Sequence, residues 1–277
     1  MTVREAAVWA SGELAALSEP RHEVELLLCG LTGWERHRLY LEHESTLPPA
    51  ILESFMELVA RRKNREPLQH LLGESGFFGR IFACGSGALI PRPETESLLE
   101  AFMGVIPAGP SRLLDAGTGS GVIGISLALE LPRVLVAGTD VSREALVLAA
   151  VNRTRHGADN YFPVLCDLAG PFSPRTPFDG IIANLPYVCT GELDGLEPEV
   201  RDWDPGAALD GGPDGLDLVR RLVASAPPLL APGGVLALEI DPAQAQGVVD
   251  LLGRAGWSAV KVIPDLSGRD RVVIASV

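Results

Sequence analysis

The chain lacks the cysteine and histidine spacing of a metal site. Cys29, Cys84, Cys166 and Cys189 are widely separated and form neither a Cys-x-x-Cys pair nor a zinc pattern. They are expected to be reduced thiols of a cytoplasmic protein, most of them buried as small apolar residues. His22, His37, His43, His70 and His156 also lack ligand spacing, so surface or satisfied histidines are expected and a metal is not. No apolar run approaches the ~20 residues of a membrane span. The amino terminus, with Arg4 and Glu5 before a short alanine-rich stretch, lacks the layout of a signal peptide, so a soluble protein with no membrane partner is expected. Basic charge is scarce: 23 Lys and Arg against 36 Asp and Glu leave a formal charge of -13. That balance argues against the basic footprint that phosphate neutralisation requires, so bare nucleic acid is a poor partner. A basic protein surface or a cationic cofactor is compatible with it.

What is present divides in two. The 277 residues suffice for one large domain and a small one. Helical periodicity runs through residues 2 to 72, in Val24, Leu26, Leu27, Leu28 and Leu31, then in Ile51, Phe55, Leu58 and Val59. Breaks at Gly30, Gly33 and Pro48-Pro49 imply a bundle of about four short helices. Arg61, Arg62, Lys63 and Arg65 close its last helix, where positive charge suits the dipole, and are expected to be a solvated helix end rather than a binding patch. From Gly73 the texture changes, and Gly76 to Phe82 has the glycines and aromatics of a β-hairpin. The expected division is a helical bundle over 1–72, a hairpin linker over 73–90 and a catalytic domain over 91–277.

That larger domain alternates strand and helix, which implies a mostly parallel sheet covered on both faces, with an antiparallel edge at the final hairpin. Arg112 to Asp115 is a short buried strand, Ala116 to Gly121 a glycine turn, and Val122 to Leu129 a buried helix. Such a turn lets backbone approach a ligand that a Cβ would hold away. A second apolar run, Val134 to Thr139, ends in Asp140, placed to accept hydrogen bonds from ribose hydroxyls. The ligand expected is an adenosine. Gly119 to Gly124 also fits the dinucleotide fingerprint, so NAD stays open beside S-adenosylmethionine. The early start of the turn at Gly117 favours the methyl donor, as does the tetrapeptide Asn184-Leu185-Pro186-Tyr187 after the apolar run Gly180 to Ala183. A carboxamide, a proline and an aromatic at the carboxyl edge of a sheet suit gripping a flat amide or amino group and have no evident use in hydride transfer.

Together these stretches resemble the peptide-chain release factor glutamine methyltransferases, a family of class I S-adenosylmethionine-dependent enzymes. The likeness spans nearly the whole chain, from Glu23, Glu25, Leu26, Leu27 and Leu28 through Glu66 to Gln69 and Phe78-Gly79 to Ile90-Pro91-Arg92-Pro93-Glu94-Thr95-Glu96. It continues through Asp115 to Gly121, Asp140, Asn184 to Tyr187, Glu199 to Arg201, Gly211 to Asp217 and Ser267 to Arg271. The resemblance implies a Rossmann-like α/β fold with a seven-stranded, mostly parallel sheet and a small N-terminal helical domain that recognises the substrate protein. It implies methylation of the side-chain amide nitrogen (N5) of the glutamine in a Gly-Gly-Gln loop, in translation termination. Gly117, Thr118, Gly119, Ser120 and Gly121 are placed by it at the methionine part of the cofactor, Asp140 at the ribose, Asp167 and Leu168 beside the adenine, and Asp115 and Asn184 also at the cofactor. Arg92, Asn184, Leu185, Pro186 and Tyr187 are placed at the substrate, with Arg92 balanced between structural and substrate-positioning roles. Two departures stand out: Leu185 replaces the family's usual proline, and Leu168 stands where an aromatic is common.

An amide nitrogen is a poor nucleophile because its lone pair is delocalised. The Asn184 side-chain oxygen and the Leu185 carbonyl are expected each to accept one substrate N–H, and Tyr187 to stack on the amide plane or pack against the glutamine's methylenes. Methyl transfer has a neutral leaving group and needs no strong base, and oriented approach alone contributes roughly 7 to 11 kcal/mol. Two other readings stay open: an adenine N6-methyltransferase acting on RNA or DNA, which shares Asn-Leu-Pro-Tyr, and a catalytically silent release-factor-binding protein. Nothing in the sequence demands more than a monomer.

Overall fold

In the computed structural model, which describes all residues except Ala108 and Pro110, Thr2 and Glu5 cap each other's backbone N–H and start α1 (Val3–Glu13). Four helices follow: α2 (Pro20–Thr32), α3 (Arg36–Leu41), α4 (Pro49–Lys63) and α5 (Leu68–Leu72). Proline opens α2 and α4, where its missing N–H is no loss, and Gly33 and Gly73 end α2 and α5 in left-handed conformation. The bundle thus has one helix more than its sequence periodicity predicts, because α5 is a single short turn set off by Pro67. Ala6, Ala10, Val24, Leu27, Leu28 and Phe55 form its core.

These helices belong to a unit made of Met1–Glu74 and, from far along the chain, Glu197–Trp203. The expectation of one continuous domain from 91 onward therefore differs from the structure at this segment. A second correction concerns the cationic cluster at the end of α4. Arg61 and Lys63 reach the surface, but Arg62 is 6% exposed and ion-paired with Glu23 and, at 2.9 Å, with Glu199. Successive helical residues turn by about 100°, so a run of four cannot share one solvated face.

The second unit comprises Ser75–Leu196 and Asp204–Val277. The strands β1 (Glu74–Phe77) and β2 (Arg80–Ala83) form a two-stranded hairpin whose Phe78-Gly79 turn has positive φ at both residues. The chain then builds α6 (Thr95–Met103), β3 (Arg112–Ala116), α7 (Val122–Glu130), β4 (Leu135–Asp140), α8 (Arg143–His156), β5 (Tyr161–Leu165) and β6 (Phe178–Ala183). It ends with β7 (Leu230–Glu239), β8 (Ser258–Pro264) and β9 (Asp270–Ser276), with helices at Asp217–Ser225 and Ala245–Arg254. The sheet order is β5-β4-β3-β6-β7-β9-β8, parallel except for the pairs β7/β9 and β8/β9. The winding reverses between β3 and β6, and open α/β sheets bind ligands at the carboxyl ends of the strands flanking such a point.

Pleating decides which side chain faces which layer. Leu113 packs in a core with Leu98, Phe102, Ile125 and Ala149. Its neighbour Leu114 belongs to the other face, with Val219, Leu222, Val248 and Leu252. Burying a leucine fully is worth about 1.5–3 kcal/mol, so these two layers are what clamps the sheet. The helix over Asp217–Ser225 ends there because Pro227-Pro228 cannot continue it, and β7 starts at Leu230, its pairing with β6 shifting register between Phe178 and Gly180. The cysteines, expected mostly buried, are all half-buried. Among the described residues no helix is long and apolar enough to cross a membrane.

Candidate active site

β3 delivers the chain to the glycine turn, where Gly117 (φ 76°), Gly119 (φ 55°) and Gly121 (φ 85°) all take the left-handed conformation that glycine adopts without steric cost. A Cβ on Gly117 would lie 2.9 Å from Leu185 Cδ2, so this glycine also admits the neighbouring loop. The N–H groups of Gly117 and Thr118 both donate to the Thr139 carbonyl at 2.8 Å, which ties the turn to the end of β4. Asp115 braces it from within. Its Oδ2 accepts from the Thr118 hydroxyl at 2.5 Å and the Gly124 N–H at 2.9 Å, and the residue is fully buried. Burial, with the charge of Asp140 nearby, pushes its carboxyl up to about 7 against the pull of those two hydrogen bonds.

Asp140 ends β4. Its Oδ2 accepts the Gly119 N–H at 2.9 Å and its Oδ1 the Ser142 N–H at 2.8 Å, so the carboxylate is held in one orientation on the cavity wall. Each oxygen keeps a further lone pair for a hydroxyl donor. Leu168, at positive φ (49°), and Asp167 border the same cavity, Asp167 also accepting from Arg221 at 2.5 Å. A carboxylate acceptor, an apolar wall and a glycine-lined floor form a donor and acceptor set that fits an adenosine carrying a cationic sulfonium.

At the end of β6, Asn184 Nδ2 donates to Thr95 Oγ1 at 3.1 Å. The loop behind it is pinned from the far side: Val188 N–H donates to the Leu209 carbonyl (3.0 Å), Gly211 N–H to the Val188 carbonyl (2.9 Å), and Gln244 Nε2 to the Tyr187 carbonyl (2.8 Å). A Cβ on Gly211 would meet the Pro186 carbonyl at 2.7 Å. The glycine-rich run 211–217 is therefore the backing of the Asn184–Tyr187 loop. Arg92 reaches the cavity wall while its Nη2 pairs with Asp204 Oδ2 at 2.6 Å, and Asp204 Oδ1 accepts the Ile90 N–H at 3.3 Å.

One cavity collects most of the residues expected at the site. Arg92, Gly117, Thr118, Gly119, Ser120, Asp140, Asp167, Leu168, Asn184, Leu185 and Pro186 all line it. Asp115, Gly121 and Tyr187 do not. Asp115 points into the protein because strand alternation puts it on the Leu113 face, and Gly121 is consumed as the residue before α7, its N–H donating to Thr118. The half-buried Tyr187 ring lies among charged neighbours, burial first and then Glu239 raising its hydroxyl to about 12. Sequence reasoning missed Thr95, although it stands inside the quoted Pro-Glu-Thr-Glu run, and missed the loop Pro205 to Ala208, which carries no chemical signature.

Comparison with known proteins is consistent across the chain. Residues 5–73 match the PrmC N-terminal domain family and residues 110–239 a methyltransferase domain family. The release factor glutamine methyltransferase of Geobacter sulfurreducens is 40% identical over 276 residues, 98% of this chain and 95% of that protein. The protein of that name from Moorella thermoacetica is 41% identical, covering 99% and 98% of the two chains. A methyltransferase structure from Pyrococcus furiosus superposes with a TM-score of 0.55 at 19% identity, over 73% of this chain and 90% of that one. A 16S rRNA N2 G1207 methyltransferase of Thermus thermophilus, solved with AdoMet and guanosine, gives a TM-score of 0.53 at 18% identity, over 73% and 49% of the two chains. Both structural likenesses speak for the class I methyltransferase fold.

Proposed function

This chain belongs to the release factor glutamine methyltransferases and transfers a methyl group from S-adenosylmethionine to a release-factor glutamine, and from that premise we propose which of its residues do so. The cofactor supplies an electrophilic methyl group on a sulfonium. Asp140 binds its ribose, the turn Gly117 to Ser120 holds the methionine part, and Asp167 and Leu168 border the adenine. Asp115 sustains that turn from behind.

The observation that carries the reading of the acceptor side is the Asn184 to Thr95 hydrogen bond. With Nδ2 occupied, Asn184 keeps Oδ1 to accept one N–H of the glutamine side-chain amide, and the Leu185 carbonyl accepts the other. Two acceptors in the plane of an amide orient its nitrogen and favour the positive charge that grows there. Leu185 serves through its backbone, so its difference from proline leaves this role intact. Pro186 fixes the path of the loop, and Arg92, half committed to Asp204, assists the substrate's approach.

The acceptor is the glutamine N5 of a Gly-Gly-Gln loop in a peptide chain release factor. The N-terminal helices, which expose Val8, Tyr40 and Leu41, recognise the factor, and the enzyme works as a cytoplasmic monomer without direct nucleic-acid contact. Asn184→Ala tests the assignment: turnover, read by mass spectrometry of the Gly-Gly-Gln peptide, falls about 100-fold or more while cofactor affinity is nearly unchanged. Undiminished methylation would remove Asn184 from the mechanism, and label appearing in RNA instead of the peptide would overturn the acceptor.

A further inference from the structure

Glu239, the last residue of β7, is 2% exposed and does not line the cavity, yet one residue links it to the wall. Its carboxyl lies near the hydroxyl of Thr95, which favours its charged form and which is itself 3% exposed and accepts from Asn184 Nδ2 at 3.1 Å. One of its oxygens, Oε2, is buried and has no hydrogen-bond partner among the described residues. A carboxyl that serves only the fold is normally satisfied on both oxygens, and leaving one bare costs stability. Such a group beside a reaction centre calls for a role in the reaction.

The direction of the hydrogen bonds supplies that role. A hydroxyl has one proton to give. Since Thr95 accepts from Asn184, its own proton is free for Glu239, and a carboxylate, which only accepts, takes it. We propose that Glu239 is a positioning residue for methyl transfer: by accepting the Thr95 proton it obliges Thr95 to accept from Asn184, and so keeps the carboxamide with Nδ2 toward Thr95 and Oδ1 toward the substrate nitrogen. In the reversed carboxamide, Oδ1 would accept from Thr95 and Nδ2 would face the substrate N–H, donor against donor. Shape alone does not choose between the two, since the carboxamide's oxygen and nitrogen are nearly the same size.

Burial raises the Glu239 carboxyl to about 7, opposed by Thr95, Arg271 and Arg92 and reinforced by Glu94. Only the carboxylate is confined to accepting. The protonated form carries an O–H that can donate to Thr95 and reverse the relay, as the NH2 of a glutamine at this position can.

The inference rests on the assignment of Asn184 above, and the experiment separates the two. Steady-state kcat and KM for the release factor and the cofactor are measured for Asn184→Ala, Glu239→Gln, Thr95→Val, Thr95→Ser and the pair Thr95→Val/Glu239→Gln. Expected is a kcat about tenfold or more lower in Glu239→Gln and in Thr95→Val, with both KM values unchanged. Thr95→Ser, which keeps the hydroxyl, should recover most of what Thr95→Val loses. The double variant should be no worse than the poorer single one, because both break the same relay. Wild-type kcat in Glu239→Gln beside an inactive Asn184→Ala overturns this inference alone, and a double variant whose loss is the product of the two single losses overturns it too. An active Asn184→Ala overturns both readings. If Glu239→Gln fails to fold, by circular dichroism, the Thr95 pair decides: equal turnover in Val and Ser variants refutes the relay.

Discussion

Two acidic groups of the helical unit and two of the catalytic unit are held in opposite ways. In the helical unit, Glu25 lies between Arg36, at 2.6 Å, and the Tyr40 hydroxyl, at 2.7 Å, and Glu199 accepts from Arg62 and Arg65, both at 2.9 Å. Desolvation works against the charge of each, but these donors outweigh it and hold both carboxyls below the usual range. In the catalytic unit, Asp115 and Glu239 are deeper, and among the described residues neither accepts a hydrogen bond from a guanidinium. Burial prevails there and raises both to about 7. A fully paired charge contributes an attachment between helices. An underpaired one is a constraint that only a nearby site has use for, and Asp115 braces the cofactor turn while Glu239 backs Asn184.

The contrast is broken most severely at Arg62. Arg62→Ala removes the cation shared by Glu23 and Glu199, both partly buried and Glu199 still paired with Arg65, so the loss stays below the ~3–5 kcal/mol of a fully buried pair that loses one partner. Urea denaturation of the variant should show that loss. Replacing Arg62, Glu23 and Glu199 together by apolar residues should cost less than Arg62→Ala alone, because hydrophobic packing can substitute for a whole ion-paired cluster. A loss under about 1 kcal/mol in Arg62→Ala would mean that the helical unit does not depend on its pairing.

At Asp115 the comparison can be sharpened instead. Asp115→Ala strands the Gly124 N–H, at about 1–3 kcal/mol for a buried unsatisfied group, leaves the Thr118 hydroxyl with Tyr161 as its remaining partner and loosens the turn, so cofactor affinity should fall with stability. Asp115→Asn keeps an acceptor for both and should be milder. Its use is in the pH dependence. Carboxyls raised from ordinary values of 3.8 and 4.5 to about 7 bind protons in the folded state that the unfolded state has already released. Stability contributed by this difference is therefore present at low pH and lost as pH rises from about 4 to about 7. Glu25 and Glu199, held below the ordinary 4.5, act in the opposite sense, contributing more as pH rises, but only below that value. Between pH 5 and 7 the two buried carboxyls should set the slope, and Asp115→Asn should flatten the decline seen by thermal unfolding across that range. An unchanged slope would show that Asp115 is ionised throughout.

What was legible beforehand follows from how local each signal is. The turn at Gly117, Gly119 and Gly121 is written in residues that alone tolerate positive φ, and Asp140 stands at the tip of an apolar run, so both could be placed without knowing the fold. Asn184 was legible for the same reason. The resemblance puts Asp115 at the cofactor, whereas alternation along β3 turns it to the inward face with Leu113, which counting by twos finds. The pairing of Arg62 was hidden by distance, since its partners lie 39 and 137 residues away along the chain. So was the relay through Thr95, 89 residues before Asn184. Composition carries no record of which helix turn returns to which strand, and only the strand order brings α6 against the ends of β6 and β7.

The smallest predicted effect concerns Tyr187, where the sequence suggests a ring stacked on the substrate amide. The ring does not border the cavity, and the backbone carbonyl is what the fold grips, through Gln244 at 2.8 Å. The hydroxyl is not needed for that grip, and burial with Glu239 nearby keeps it protonated at every pH of interest, its value pushed to about 12. Tyr187→Phe should accordingly leave kcat within about twofold of the parent, while Gln244→Ala, which releases the Tyr187 carbonyl and frees the loop behind Asn184, should lower kcat more than it changes cofactor affinity. A Tyr187→Phe variant that loses turnover as heavily as Asn184→Ala would bring the phenol back to the substrate. It would also tie the buried Glu239 carboxyl to the reaction by a second route, through the tyrosine as well as through Thr95.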